Sequence, residues 1–236
     1  MCTGRIDLSL LLRAFSNGAD GVFVVGCRLG ECNYTTHGNY SALNKVLLCK
    51  KLLGHIGLNP DRLSIEFMSS GDGILFAETM NGFVNKVKEL GPLGVTENLD
   101  KKQLKSRLQT VSKLVPYIKT VYKEKLAVRP ADPAGYNSFY SLEEIKKLLD
   151  EAVSYYIEPS KCQACMICMR KCPVDAISGG KNLVHIIDQE KCIRCGTCFE
   201  SCPPRFSAIT KIVSAPVPPP PSEQARTIVR KTKDTQ

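Results

Sequence analysis

Eight of the twelve cysteines in this 236-residue chain occur in two copies of a single spacing. The copies span residues 162–173 and 192–203, and each has the pattern C-x-x-C-x-x-C-x-x-x-C-P. In two-cluster ferredoxins, the first three cysteines of such a run bind one [4Fe–4S] cluster, and the cysteine before the proline binds the other. The spacing therefore predicts electron transfer through two iron–sulfur clusters.

Crossed ligation divides these eight thiolates into two sets. Cluster one is predicted to take Cys162, Cys165, Cys168 and Cys202, and cluster two is predicted to take Cys192, Cys195, Cys198 and Cys172. Zinc and disulfide bonds are the alternatives. Zinc prefers two separated cysteine pairs to a run of three plus one, and disulfides are rare in a chain without a secretory signal. We therefore predict two [4Fe–4S] clusters.

The cysteine runs lie in an internal repeat, in which residues 161–177 align with residues 191–209. Each copy has too few apolar residues for a core of its own, so metal binding is expected to supply folding free energy. Between the copies, residues 183–187 are predicted to form a strand and residues 178–182 a turn. We predict an α+β ferredoxin-like domain over residues 159–212.

A second group of cysteines lies near the start of the chain. Cys27 and Cys32 directly follow an apolar run at residues 21–26, which predicts a buried parallel strand. Cys2 is predicted to end a neighbouring strand, so the three thiols are expected to meet at one edge of the sheet, where ligands commonly bind. Cys49 lies in the middle of a predicted helix, and we expect it to be a small buried residue.

Residues 1–92 alternate helices and strands in the order typical of a parallel α/β fold. The predicted helices span 7–17, 39–55 and 72–90, and the predicted strands span 21–26 and 63–68. Residues 1–5 are expected to end a further strand. Two strands and such a stub are too few for an independent parallel sheet. We therefore predict an incomplete parallel-sheet domain that begins in mid-fold.

Residues 93–158 are predicted to form a helical connector with a basic outer face. Residues 98–130 hold nine basic and two acidic residues, and their apolar residues recur near helical spacing, disturbed at Pro116. A second helix begins with a capping box at Ser141 and is expected to continue through Tyr156. Residues 213–236 open with prolines, which predicts an extended tail: a disordered end, or a strap across a partner.

The net charge of +9 does not by itself indicate nucleic acid. No binding motif accompanies the basic residues, and few aromatic residues lie among them for bases to stack on. A solvated helix face, or docking on an acidic protein, explains the charge instead. No apolar run approaches the roughly 20 residues needed to span a membrane, and no signal peptide opens the chain. We expect a cytoplasmic protein, where thiolate-held clusters meet reducing conditions.

Several short stretches of residues 1–92 resemble the delta subunit of viologen-reducing hydrogenases. They are the segments MCTGR at 1–5, ADGV at 19–22, GCRLGEC at 26–32, GNY at 38–40 and ELGP at 89–92. The resemblance implies a [2Fe–2S] cluster that Cys2, Cys27 and Cys32 help to hold. It also implies electron transfer between a hydrogenase or formate dehydrogenase and the flavin subunit of a heterodisulfide reductase. Together with the ferredoxin portion, the chain resembles fused delta-subunit variants.

Two departures from that family bear on the [2Fe–2S] site. The family has histidine after the first cysteine of its Gly-Cys loop, where this chain has Arg28. The family also begins with a further strand and helix that carry additional cysteines. Because a [2Fe–2S] cluster takes four ligands, we expect the fourth thiolate from a longer form of this chain or from a neighbouring chain.

No motif in the sequence indicates that the chain itself is catalytic. No phosphate-binding glycine loop and no Ser/His/Asp or Cys/His set stands out. His37, His55 and His185 are scattered, and each is predicted to be an ordinary surface or core residue. We therefore predict a non-catalytic electron-transfer subunit. The alternatives are an iron–sulfur subunit of another anaerobic oxidoreductase and a redox-sensing iron–sulfur protein.

Overall fold

The computed structural model describes residues 2–34, 37–129, 139–213, 215–222 and 226–227. The chain divides into two compact units, Met1–Leu148 and Leu149–Gln236. Helices and strands are mixed in both, and the described strands form two-stranded sheets.

The first unit holds one parallel strand pair and a set of helices. Its elements are α1 (Leu8–Ser16), β1 (Val22–Gly26), α2 (Asn39–Ile56), β2 (Leu63–Phe67), α3 (Gly73–Leu90), α4 (Lys101–Val121), α5 (Lys123–Ala127) and α6 (Leu142–Asp150), which ends just past the unit boundary. Strands β1 and β2 pair in parallel, with Val22 opposite Leu63 and Gly26 opposite Phe67. From α1 to α3, each element lies within one residue of its predicted bounds.

Residues 2–5, the described part of this segment, do not end a strand, so the prediction of a strand end there is wrong. Thr3–Arg5 form a short 3-10 helix, because backbone hydrogen bonds from Arg5 N to Cys2 O and from Ile6 N to Thr3 O close local turns. The turn nevertheless lies beside the end of β1, where Thr3 Oγ1 donates to the carbonyl of Val25 at 2.8 Å. Cys2 is therefore held next to the carboxyl end of β1, as expected.

The core of the first unit lies between α1, α2 and α4. The buried apolar side chains that α1 and α4 contribute to this core are Leu8, Leu11, Leu12, Phe15, Leu104, Leu108, Val111, Val115 and Ile118. The apolar stripe predicted along residues 104–118 is confirmed, although Pro116 does not interrupt α4. Helix α4, part of the predicted connector, therefore covers the α/β elements that precede it.

A buried ion pair ties the start of β2 to the loop after α3. Arg62 is fully buried and donates from Nε to Glu97 Oε1 at 2.6 Å. Its other guanidinium nitrogens donate to the carbonyls of Asp20, Leu90 and Gly91 at 2.9–3.0 Å. Burial alone would raise the pKa of Glu97, but the hydrogen bonds to its carboxylate, chiefly from Arg62, lower it. No sequence pattern indicated this pair.

Helix α3 is poorly covered by the rest of the first unit. It contains no buried residue, and Ile74 on its first turn is 79% exposed. Its contacts with the sheet include Phe83, whose ring centroid lies 5.1 Å from that of Phe23, and Val87, which packs against Gly21. The two-stranded sheet with α3 therefore leaves apolar surface open.

The second unit follows the internal repeat. Its elements are β3 (Val153–Ile157), α7 (Ile167–Lys171), β4 (Ile177–Gly180), β5 (Leu183–Ile187), α8 (Thr197–Ser201) and β6 (Ile209–Val213). Strands β3 and β6 pair antiparallel, as do β4 and β5. The two copies use matching hydrogen bonds, since Glu158 N donates to Ala208 O and Asp188 N donates to Ala176 O, each at 2.7 Å.

Two sequence predictions in this unit are wrong. Helix α6 ends at Asp150, and residues 153–157 form β3 rather than the continuation of that helix. The segment Val-Ser-Tyr-Tyr-Ile is rich in β-branched and aromatic residues, and its partner β6 lies far away in the chain. The turn predicted at residues 178–182 is shorter than expected, because β4 extends to Gly180 and the chain turns at Asn182, whose φ is 61°.

Part of the proline-rich tail contacts strand β5. Residues 215–222 contain no helix or strand. Arg226 Nε then donates to the carbonyl of Val184 at 3.3 Å, and Thr227 forms an antiparallel bridge with Leu183. Residues 214, 223–225 and 228–236 of the predicted tail lie outside the described residues.

No helix in the described parts of the chain is long and apolar enough to cross a membrane.

Candidate iron–sulfur sites

The two cysteine loops adopt the same unusual backbone. In each loop, the middle cysteine (Cys165 or Cys195) is flanked by two residues in the left-handed region: Ala164 (φ 52°) and Met166 (φ 64°), and Arg194 (φ 56°) and Gly196 (φ 82°). Such residues turn successive N–H groups toward one concave face, which suits negative charge. For a residue other than glycine, this conformation costs about 1–3 kcal/mol, so the loop must be held in place by what it encloses and contacts.

The four cysteines predicted for cluster two meet around one cavity. This open-sided cavity is lined by Cys192, Cys195 and Cys198 from the second copy and by Cys172 from the first. Apolar side chains, among them Ile177, complete its lining. The donor set and the apolar wall fit a group that needs thiolates and exclusion of water.

The four cysteines predicted for cluster one also influence one another. Burial, followed by the negative charges of Cys162, Cys165 and Cys202, raises the pKa of Cys168 to about 11. Cys202 comes from the second copy, and it packs against the core cluster that contains Cys162 and Cys168. Thiols with raised pKa values keep their protons until a metal displaces them, and metal binding then releases those protons.

The two sets lie next to each other in the second unit. Burial raises the pKa of Cys198 to about 12, and the charges of Cys192 and Cys168 add to that rise. Cys168 belongs to the first set and Cys198 to the second. Both side chains also belong to the core of the unit, together with Ile177 and Ile209.

Several groups donate hydrogen bonds toward the cysteine sulfurs. Arg194 N lies 3.4 Å from Cys192 Sγ, and Ala176 N lies 3.3 Å from Cys172 Sγ. Donors of this kind stabilise negative charge on sulfur, and such outer-shell contacts tune bound clusters.

The repeat places one aromatic side chain against each loop. Tyr155 on β3 lies against Gly196, where a Cβ atom would come within 2.8 Å of the tyrosine hydroxyl oxygen. His185 occupies the matching position on β5. It is 1% exposed, and its Nδ1 lies 3.8 Å from Cys162 Sγ. Burial, and secondly the charge of Arg226, lower the pKa of His185. From sequence, His185 was predicted to be an ordinary residue, although the repeat could have paired it with Tyr155.

The structure also brings the three N-terminal cysteines together. Cys2 Sγ and Cys32 Sγ are 3.7 Å apart. Burial raises the pKa of Cys27, and the hydrogen bond and charge of Cys32 raise it further. Burial would raise the pKa of Cys32 too, but hydrogen bonds from the backbone at Tyr34 and Asn39 lower it. The three thiols therefore interact at the end of β1, while their role as cluster ligands remains a prediction.

The first turn of α2 holds the Cys27 loop. Asn39 is 1% exposed, and its Nδ2 donates to the carbonyls of Cys27 at 2.8 Å and Arg28 at 2.6 Å. At Gly38 there is no room for a side chain, because a Cβ atom would overlap Cys32 Sγ. The family resemblance included this Gly-Asn pair, but these two contacts were not predicted.

Arg28, one of the departures from the family pattern, is bound to the start of α3. Its Nη2 donates to Asp72 at 2.7 Å from a half-exposed position. Asp72 also accepts from Ser69 N, so the ion pair fixes the Cys27 loop to the turn that precedes α3.

Cys49 does not join the N-terminal site. It is fully buried in α2, as predicted, and burial raises its pKa to about 12. Within the described residues, no three His, Cys, Asp or Glu side chains converge on a point that suits a single metal ion. An iron–sulfur cluster presents separate iron atoms to its thiolates, so ligands spread around a cavity are compatible with it.

Comparison with known proteins identifies two segments. Residues 1–91 match the family described as methyl-viologen-reducing hydrogenase, delta subunit. Residues 161–206 match the 4Fe-4S dicluster domain. The second match covers both cysteine runs, and the first covers Cys2, Cys27 and Cys32.

Curated relatives match the first segment. The chain is 44% identical over 91 residues to the iron-sulfur subunit of the F420-non-reducing hydrogenase of Archaeoglobus profundus, covering 39% of this chain and 66% of that protein. It is 40% identical over 101 residues to the iron-sulfur subunit of the F420-non-reducing hydrogenase vhc of Methanococcus voltae, covering 43% of this chain and 69% of the relative.

A third relative is a much larger protein. It belongs to the ferredoxin/F(420)H(2)-dependent CoB-CoM heterodisulfide reductase of Methanosarcina acetivorans and is 42% identical over 94 residues. The match covers 40% of this chain but 12% of that protein. The two hydrogenase subunits, by contrast, are at least 40% identical to this chain over about two thirds of their own length, and this match defines the family. The chain belongs to the family of the methyl-viologen-reducing hydrogenase delta subunit, and it also carries a 4Fe-4S dicluster domain.

Proposed function

We propose that this chain is an electron-wiring subunit that carries electrons through two [4Fe–4S] clusters held by crossed ligands. Cluster one takes Cys162, Cys165, Cys168 and Cys202; cluster two takes Cys192, Cys195, Cys198 and Cys172. The observation that carries the proposal is the single cavity lined by Cys172 together with the three cysteines of the second run. A cysteine from one copy of the repeat stands among those of the other, as crossed ligation requires.

The chain's own residues perform three tasks around the clusters. The thiolates bind iron, and the apolar lining keeps water away. Backbone N–H groups, such as those of Ala176 and Arg194, stabilise negative charge on sulfur. When bound, [4Fe–4S] clusters supply one-electron carriers, and the closeness of Cys168 and Cys198 supports transfer between them.

The N-terminal site is proposed to contribute to a [2Fe–2S] cluster. Cys2, Cys27 and Cys32 supply three thiolates, and the interacting thiols at the end of β1 support this assignment. Since such a cluster takes four ligands and Cys49 is buried in α2, the fourth ligand comes from outside these three cysteines. We propose that another segment or a neighbouring chain provides it.

The partners proposed for this chain follow from the names of its relatives. One group of relatives consists of hydrogenase iron-sulfur subunits, and another relative is part of a heterodisulfide reductase. We propose that the chain connects a hydrogenase or formate dehydrogenase module with the flavin subunit of a heterodisulfide reductase-like, electron-bifurcating complex. Its setting is then the cytoplasm of an anaerobic cell.

Anaerobic purification tests this function. Iron and acid-labile sulfide analysis of the full chain is expected to give about eight of each for two [4Fe–4S] clusters. Flavin and hydrogenase or formate dehydrogenase subunits are expected to copurify. Zinc in place of iron, or one cluster only, would contradict the two-cluster proposal. Copurification of nucleic acid without those subunits would favour a redox sensor instead.

A further inference from the structure

His185 is a buried side chain whose imidazole lies beside a predicted cluster ligand. Its Nδ1 is 3.8 Å from Cys162 Sγ, within hydrogen-bonding reach of sulfur, and the side chain is 1% exposed. No role for it follows from the ligand sets. A role toward the cluster rests on the proposed function, because it takes Cys162 to be a ligand of cluster one.

The position of the ring is fixed by the hairpin around it. His185 lies on β5, and Gly179 lies on the paired strand β4. A Cβ atom at residue 179 would overlap the imidazole, with Cγ only 2.7 Å away. The ring therefore occupies the space that a side chain at residue 179 would need, and the glycine allows it to lie flat against the strand.

The surroundings of the two ring nitrogens select the tautomer. Nε2 is buried, and none of the described residues provides a hydrogen-bond partner for it. A proton on Nδ1 faces the sulfur of Cys162, whereas a proton on Nε2 would have no acceptor among those residues. A neutral imidazole therefore carries its proton on Nδ1 and donates it toward Cys162 Sγ.

We propose that His185 donates a hydrogen bond from Nδ1 to Cys162 Sγ and thereby makes cluster one easier to reduce than it would be without this donor. An added electron increases the negative charge on the cluster sulfurs, and hydrogen bonds to ionised acceptors are the stronger ones. A donor to sulfur therefore stabilises the reduced form more and raises the potential. In the other half of the repeat, the matching residue is Tyr155, which carries a hydroxyl group in place of the ring N–H.

The test is an anaerobic redox titration of the full chain followed by electron paramagnetic resonance. His185→Leu removes the donor, and His185→Asn keeps an N–H donor at the same bond distance from the backbone, since Nδ1 of histidine and Nδ2 of asparagine are both attached to Cγ. In the leucine variant, one of the two midpoint potentials is expected to fall. The expected change is about fivefold in the reduction equilibrium, the scale of one net hydrogen bond. This equals about 40 mV, since tenfold is about 59 mV for one electron. The other midpoint stays unchanged, and His185→Asn restores most of the lost potential.

Unchanged midpoints in His185→Leu would overturn the proposal. An equal fall in the asparagine variant would also overturn it, because lost packing would then be the cause. A wild-type chain without two [4Fe–4S] clusters would instead contradict the proposed function itself.

Electron–nuclear double resonance on the wild-type chain provides a test that does not depend on a variant that folds. With ¹⁵N-labelled histidine, a reduced [4Fe–4S] cluster is expected to show a nitrogen coupling and an exchangeable proton coupling. Absence of the nitrogen coupling in a fully loaded protein would count against His185 as the donor.

Discussion

Replacing Asn39 by alanine is expected to destabilise the N-terminal site more sharply than its small change in volume suggests. The amide Nδ2 donates to the carbonyls of Cys27 and Arg28 at 2.8 and 2.6 Å. A typical intramolecular hydrogen bond contributes about 0.5–1.5 kcal/mol net. Both hydrogen bonds are part-buried, so we expect the sum to lie near the net value for two bonds. We therefore expect Asn39→Ala to lower the free energy of unfolding by about 2 kcal/mol.

Two measurements examine this expectation in the full, cluster-loaded chain. In calorimetry, a loss of about 2 kcal/mol lowers the midpoint of the affected transition by about 4–8 °C for a unit of roughly 150 residues. Hydrogen exchange followed by mass spectrometry should show faster exchange at residues 27–34. If the whole loss of about 2 kcal/mol lowers the free energy of local opening of this loop, the exchange rate there rises about thirtyfold, because each 1.4 kcal/mol is a factor of ten.

Asn44 on the same helix provides a matched control. It is fully buried, and its Nδ2 donates to the carbonyls of Leu126 at 3.1 Å and Val128 at 2.8 Å. Asn44→Ala should therefore cost a similar free energy of unfolding but leave exchange at residues 27–34 close to wild type. If Asn39→Ala changes stability by less than about 0.5 kcal/mol, or if both variants open that loop equally, the assigned role of Asn39 is wrong.

Two other predictions concern the stability of the first unit. Glu97→Gln leaves the buried Arg62 without a counter-charge and should lower the free energy of unfolding, measured in urea, by about 3 kcal/mol. Lys86→Gln removes an exposed ion pair with Asp61 and should lower it by less than about 1 kcal/mol. Equal losses in the two variants would contradict the burial argument. A fragment of residues 1–92 should aggregate or remain partly unfolded, because without α4 the buried face of α1 is open to water. A soluble monomeric fragment with a cooperative unfolding transition would show that α4 is not needed for folding.

The features that could be predicted from sequence are those with local or repeated patterns. The spacing of the cysteine runs indicates their chemistry, because a [4Fe–4S] cluster demands several thiolates at short intervals. The helices α1 and α2 follow from apolar residues at helical spacing. The meeting of Cys2, Cys27 and Cys32 was predicted from a strand end at residues 1–5, whereas the structure holds Cys2 beside the end of β1 through a 3-10 turn.

The features that were missed depend on contacts between distant parts of the chain. Strand β3 exists because it pairs with β6, and local spacing could not separate it from the preceding helix. The ion pair of Arg62 with Glu97 joins segments 35 residues apart. His185 was overlooked because its significance comes from a sulfur atom 23 residues earlier in the chain. Only the repeat offered a signal for it, through its alignment with Tyr155.

Crossed ligation is the central claim, and ligand replacement combined with Mössbauer spectroscopy and electron paramagnetic resonance tests it most directly. Cys172→Ala removes a cysteine of the first run, yet it should damage the cluster held by Cys192, Cys195 and Cys198. In a matched experiment, Cys202→Ala should damage the cluster of the first run. A second replacement, Cys195→Ala, identifies the affected cluster. The double variant Cys172→Ala/Cys195→Ala should lose no more clusters than Cys172→Ala alone. The double variant Cys202→Ala/Cys195→Ala should lose both clusters. The reverse outcome, with each single variant losing the cluster of its own run, would contradict crossed ligation.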